Sequence, residues 1–490
     1  MFYELLQIAI GNRDRFSQTP TVGEWRELFA LAQKQALVGI AFRGVEQLPE
    51  EQRPPKALLM QWYMATERIK KMNADLDRKA LAVAEKFRSE GFPGVVLKGQ
   101  GIAKLYRWPH PNPLTGRGDS GIAENSKHYT LHSKQEDSHT DCTDYTEDSC
   151  LRDVALNLTQ NTQNSQNTHC CARVGHPDGD DAAEQRLIAT ASQVKGERLK
   201  VNGQQPTANS QQPTANLSAY RTPGDIDIWL HGERKDILNY VRRHVPDCKP
   251  VYHHVDFPVV DGLDIEVHFT PSWMNSPVTN RRLQRFFATE SLVNAHCAVN
   301  VASLRLIAAE QQVDGGGQRL IANSQQPTTN SQSFPVPSLA FNRVYILVHI
   351  YRHLFAEGIG LRQLLDYYFV LCQGFTEEER EETMRVLRSL KMVRFARAVM
   401  WVLQEVYGMD DRYLLTSPDE REGCFLLSEI MLAGNFGQYD ERLQHEKGES
   451  ALHWGWRKVK RNFRFVRSYP SEVLWSPIFK LWHYFWRKGL

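Results

Sequence analysis

Apolar residues recur three and four apart, with charges between them, over Trp25 to Leu37 and over the long run Ala57 to Arg88. That spacing lines one face of a helix, so residues 1–90 read as an N-terminal helical region packed as a cap. The pattern then shortens. Gly94-Val95-Val96-Leu97 is an apolar strand that passes through Lys98-Gly99-Gln100-Gly101 into what reads as a helix reaching Tyr106. Gly224-Asp225-Ile226-Asp227-Ile228-Trp229-Leu230 and Leu263-Asp264-Ile265-Glu266-Val267-His268-Phe269 alternate apolar residues with acids. A strand's two-residue period puts Asp225 and Asp227 on one face of the first, and Asp264, Glu266 and His268 on one face of the second. If the strands pair, the acids meet. Helical periodicity returns from Phe341 to about Trp456. There His349 and His353 lie one turn apart, as do Arg362 and Asp366, and the plain reading is a packing pair and an ion pair.

Two stretches break these periods. From 115 to 218 the chain turns to Ser, Thr, Asn, Gln, Asp and His, too polar to offset its conformational entropy, and is expected to be a disordered insertion. A second low-complexity insertion is expected over 301–335, where Gln-Gln-Pro-Thr and Gln-Arg-Leu-Ile-Ala strings from the first stretch recur. The recurrence points to related repetitive DNA inserted twice, and removing both should leave the fold intact. The expected class is then α+β: a small mixed sheet formed by 91–114 and 219–300, and a C-terminal helical domain over 336–490.

Composition narrows the function little. The 59 basic and 57 acidic residues nearly cancel, giving no strong sign of a nucleic-acid partner or an anionic surface. The first residues lack the basic flank and small-residue cleavage site of a signal peptide, and no run approaches the roughly 18 apolar residues of a transmembrane segment, so a cytoplasmic protein is expected. The aromatic tail around Trp475, Trp482 and Trp486 reads as core packing, with contact at a membrane surface as the alternative. The eight cysteines show no paired zinc or disulfide spacing.

The chemistry lies in the acids. Carboxylates crowded on a sheet repel one another unless a cation sits between them, and hard oxygen ligands favour Mg²⁺ or Mn²⁺. On this reading Asp225→Asn or Asp227→Asn relieves repulsion and leaves thermal stability equal or higher. A solvated acidic face is the bland alternative; against it, Ile226, Ile228, Ile265 and Val267 fill the other face. The glycine turn at Gly99 is an anion-binding candidate, because amides at a helix start attract phosphate and glycine lets it come close.

Together, the glycine turn and acidic strands resemble the nucleotidyltransferase superfamily that includes DNA polymerase β. Gly99 and Asp225 stand 126 positions apart, but removing the 104 residues of 115–218 leaves about 22, a plausible spacing. More narrowly, Leu97-Lys98-Gly99, Arg221-Thr222-Pro223-Gly224-Asp225-Ile226-Asp227 and Glu266-Val267-His268 resemble a largely uncharacterised bacterial nucleotidyltransferase family common in Bacteroidetes. The later His349, His353, Leu361-Arg362 and Asp366 are similar to that family as well.

The resemblance implies a metal-dependent enzyme that moves a nucleoside monophosphate from an NTP to an unknown acceptor (a small molecule, a sugar-like compound or a protein) by two-metal in-line displacement with pyrophosphate release. Asp225, Asp227 and Glu266 are then the catalytic metal ligands for Mg²⁺ or Mn²⁺. Lys98, Gly99, Gly224 and Arg221 bind nucleotide, although Lys98 and Arg221 fit structural salt bridges equally well. Glu266 is a candidate proton acceptor, directly or through Asp264 or His268. Asp264, His268, His349, His353, Arg362 and Asp366 are possible supporting or acceptor-site residues. The rival readings are a catalytically degenerate nucleotide-binding or scaffold protein and a metal-dependent phosphohydrolase.

Overall fold

The computed structural model describes residues 1–108, 215–258, 263, 265–289, 334–442 and 449–488. Most of both expected insertions, and Asp264, lie outside the described residues.

The N-terminal helices are α1 (Phe2–Ala9), α2 (Val22–Lys34), α3 (Val38–Gln47) and the 34-residue α4 (Lys56–Ser89). Thr21 and Glu24 close a capping box at the start of α2, each satisfying a backbone amide that the first turn leaves unpaired. Trp62 of α4 is fully buried against Trp25 and Phe29, with ring centroids at 6.0 and 5.1 Å. No glycine or proline interrupts α4, so it runs on to the sheet.

The sheet contains β1 (Gly94–Val96), β4 (Ile226–Leu230), β5 (His254–Asp256) and β6 (Ile265–His268), in the order β1-β4-β6-β5. A separate two-residue ladder pairs β2 (Arg107–Trp108) with β3 (Ala215–Asn216). β4 lies antiparallel to β1 and parallel to β6, and β5 is antiparallel to β6, so the sheet is mixed. Ile226, Ile228, Ile265 and Val267 do fill one face, as the alternation requires. They form one cluster with Ala80, Val83 and Phe87 of α4 and with Ile237, Tyr240 and Val241 of α6 (Arg234–His244).

Two expectations change here. The helix after Gly99, α5 (Gln100–Ala103), has only four residues. A Cβ at Gly101 would stand 2.5 Å from the Val96 carbonyl oxygen, so this turn is folded back tightly on β1 and gives way to β2 within a few residues. The insertions also end earlier than composition suggests. Leu217 is buried with its amide donating to the Tyr106 carbonyl, Phe334 joins the sheet's core, and the Pro335 carbonyl accepts from the Val96 amide.

Residues 277–289 form α7. The remaining helices are α8 (Leu339–Ala356), α9 (Leu361–Leu371), α10 (Glu377–Ser389), α11 (Val393–Tyr407), α12 (Glu420–Ala433), α13 (Ala451–Phe463) and α14 (Pro470–Lys488). α8 is buried on nearly every side, as a central helix must be. It covers the sheet's second face at Trp229, which stacks on Phe341 at 5.7 Å. The tail departs from the core-packing expectation: Leu474, Trp475, Ile478, Leu481, Trp482 and Phe485 are exposed. No described helix is long and apolar enough to cross a membrane.

Candidate active site

The acidic strands are direct neighbours. Asp227 is paired with Glu266, and Trp229 with His268, across the parallel β4–β6 ladder. The strand period then puts Asp227, Glu266 and His268 on the face opposite the apolar cluster. His268 Nε2 lies 2.8 Å from Asp227 Oδ1 and 3.3 Å from Glu266 Oε2. Lys98, delivered by the turn after β1, places its ammonium 3.2 Å from Asp227 Oδ2 and 3.5 Å from Asp225 Oδ2. The cations between the carboxylates are thus side chains of the protein itself.

Electrostatics follow from this packing. Burial opposes the charge of Lys98, but Asp227, Asp225 and Glu266 more than restore it and push the ammonium above its ordinary range. Burial likewise opposes the His268 imidazolium, which the hydrogen bonds to Asp227 and Glu266 hold up to about 9. Burial also works against the Glu266 carboxylate, yet the hydrogen bond from His268 and the nearby His254, His268 and Lys98 bring it down to about 2.

Above the acids opens a cavity of about 320 Å³, lined by Lys98, Asp225, Asp227, Glu266 and His268 and by His253, His254, Trp273, Arg352 and Phe436 among others. His349 and His353 of α8 line it too, with ring centroids 4.4 Å apart. Burial, then the neighbouring His353 and the Lys98 ammonium, keeps His349 well below its usual value and therefore neutral. A smaller recess beside it is lined by Gly99, Arg221, Gly224, Asp225, Arg362 and Asp366. Gly99 has φ +60°, a conformation glycine tolerates, and this turns Lys98 toward the acids. A Cβ on Gly224 would stand 3.5 Å from Arg362 Nη1, so its bare backbone borders that guanidinium.

Arg221 makes a structural salt bridge, one of the two readings open to it, and makes it with the acid that helix spacing pairs with Arg362. Arg221 grips Asp366 through Nε–Oδ1 at 2.7 Å and Nη2–Oδ2 at 2.8 Å, deep in the protein, while Tyr106 donates its hydroxyl to the same carboxylate. Asp366 is therefore the partner of Arg221 rather than of Arg362, its neighbour one turn away. Arg362 keeps one hydrogen bond, to the Thr222 carbonyl, and its buried Nε has no partner among the described residues. Burial and then the adjacent Arg221 lower it to about 10.

Reading the sequence missed His253, His254, Trp273 and Arg352. His254 lies opposite His268 across the antiparallel β5–β6 ladder and 3.4 Å from Glu266. The signal was present: His253-His254-Val255-Asp256 precedes the second acidic strand at hairpin distance. Arg352 stacks its guanidinium 3.9 Å from the Trp273 ring, and burial lowers it to about 10.

The donor set suits a divalent cation. Asp227, Glu266 and His268 each bring a ligand atom within 4.8 Å of the others, and Asp227 Oδ2 is buried beside the Lys98 ammonium at 3.2 Å. The carboxylates of Asp227 and Glu266 are hard oxygen donors that accept Mg²⁺ or Mn²⁺. Asp225 stands outside that trio, one-third exposed at the cavity's edge.

A small mixed sheet bearing paired carboxylates beneath a cavity lined by cationic side chains defines an α+β architecture. Residues 21–111 and 304–408 match the model of a family described as uncharacterised nucleotidyltransferase, which supports assignment to that class. Lys98, Gly99, His349, His353, Arg362 and Asp366 fall within the matched stretches; Arg221, Gly224 and the three acids lie between them. Neither a curated protein nor a solved structure matches the chain.

Proposed function

We propose that this chain transfers a nucleoside monophosphate from an NTP to an acceptor nucleophile and releases pyrophosphate. The observation that carries the reading is the pairing of Asp227 with Glu266 on parallel strands, at the floor of a cavity that also holds Lys98. The family match supports the same reaction class.

Asp225, Asp227 and Glu266 would hold Mg²⁺ or Mn²⁺, which when bound neutralises charge on the reacting phosphate. Lys98 and Arg362 grip the triphosphate, one as a point charge and the other as a fork with an unused donor. Gly99 and Gly224 let the phosphates approach the backbone. Arg221 acts at one remove: its ion pair with Asp366 fixes the segment leading into Asp225.

Glu266, held ionised down to about 2, is a weak base, and His268 is already protonated. His254 is kept neutral chiefly by burial and lines the cavity. It takes the acceptor's proton as the acceptor oxygen bonds to the α-phosphorus and the bond from that phosphorus to pyrophosphate breaks.

The test is calorimetric titration with each NTP, with and without Mg²⁺ or Mn²⁺. Metal-dependent binding that Asp227→Asn removes supports the reading, whereas binding indifferent to both metal and Asp227→Asn contradicts it.

A further inference from the structure

The C-terminal helix α14 carries an apolar stripe that nothing in the nucleotidyl-transfer reading uses. Leu474, Trp475, Ile478, Leu481, Trp482 and Phe485 are each between 37% and 62% exposed. At the pitch of an α-helix, about 100° per residue, they fall within an arc of about 120°. The opposite side of α14 is anchored: Glu472, Val473 and Ser476 are buried, and Phe479 and Trp486 pack near Tyr252 with ring centroids at 5.7 and 6.5 Å. This is a docked helix showing an ordered apolar face, rather than a loose tail.

Charge decides what that face fits. By the same helical pitch Lys488 flanks the stripe, whereas Lys480 and Arg487 fall on the side of the helix away from it. Residues 451–488 contain nine lysines and arginines and one acid, Glu472. That acid is buried and accepts a hydrogen bond from the Asn275 amide at 2.9 Å, so the exposed surface of this stretch presents no carboxylate. The preceding helix α13 has the same character, with Trp456 and Phe463 about two-thirds exposed and Lys460 between them on one face. Tryptophan and phenylalanine beside Lys460 and Lys488 suit the headgroup boundary of an anionic bilayer. The length and charges of α14 suit lying in that boundary rather than crossing it.

We propose that α14 lays its apolar stripe on an anionic lipid surface, with Lys488 at the headgroups. The full chain is to be sedimented with vesicles of phosphatidylcholine alone and with vesicles containing an equal part of phosphatidylglycerol. Binding should favour the anionic vesicles and weaken as salt is raised. The triple variant Trp475→Ser, Leu481→Ser, Phe485→Ser should bind at least roughly tenfold more weakly. Its melting temperature should be unchanged, because these side chains are exposed. Lys488→Gln should cost roughly fivefold on anionic vesicles only.

Failure to bind either vesicle, or equal binding by the triple variant, overturns the proposal. So does a dimer, seen by light scattering without lipid, that the triple variant abolishes, because a second copy would then cover the stripe.

Discussion

Arg221 and Asp366 stand 145 positions apart and meet through two parallel hydrogen bonds, at 2.7 and 2.8 Å, in the interior. Neither has water to fall back on. Asp366→Asn leaves a buried guanidinium without its counter-charge and should cost about 3–5 kcal/mol in urea unfolding. Arg221→Met combined with Asp366→Leu should cost clearly less than Asp366→Asn alone. Equal losses would mean that the pair is not a buried charge pair.

Asp227→Asn should lower the melting temperature of the metal-free protein. Repulsion among the acids, judged from sequence, pointed the other way. The sign reverses because Asp227 holds two buried cations, Lys98 at 3.2 Å and His268 at 2.8 Å, which the amide leaves under-compensated. Asp225→Asn, at a partly exposed position, should change stability little. Thermal melts in EDTA compare the two.

Much of this was legible along the chain. Alternation of Ile226, Asp227 and Ile228, and of Ile265, Glu266 and Val267, fixes which face is apolar, and the parallel register then follows the expected meeting of the acids. The partner of Arg221 was not legible, because Asp366 also sits one turn from Arg362, and only tertiary packing chooses between them. β5 escaped notice because three residues carry too short an alternation to mark a strand. The tail was misjudged for a different reason: periodicity shows that one face of a helix is apolar, but not whether anything covers it.

His268 sets a pH dependence. Its folded-state value, about 9, lies above the ordinary 6.5, so the folded protein holds a proton that the unfolded chain releases. The contribution is fully present below pH 6.5 and is lost as pH rises through about 9, on the order of 3 kcal/mol at most. Urea midpoints in EDTA from pH 6 to 10 should fall accordingly, and His268→Gln should flatten that slope.

Arg362→Gln should weaken NTP binding by about 10- to 100-fold, the worth of one charge-assisted contact. Arg362→Lys should recover part of the loss. The stability of both variants should stay near that of the parent, because Arg362 has no ion-pair partner to strand among the described residues. Unchanged NTP affinity in Arg362→Gln would remove this residue from the nucleotide site.

Nucleotidyl transfer is tested most directly by following NTPs labelled at the α-phosphorus in Mg²⁺ or Mn²⁺, with a cell extract as the source of acceptor. Transfer predicts pyrophosphate release matched by appearance of the α-label on an acceptor, both abolished by Asp227→Asn. Release of inorganic phosphate with the α-label left on nucleoside diphosphate, or turnover that survives Asp227→Asn, would contradict it.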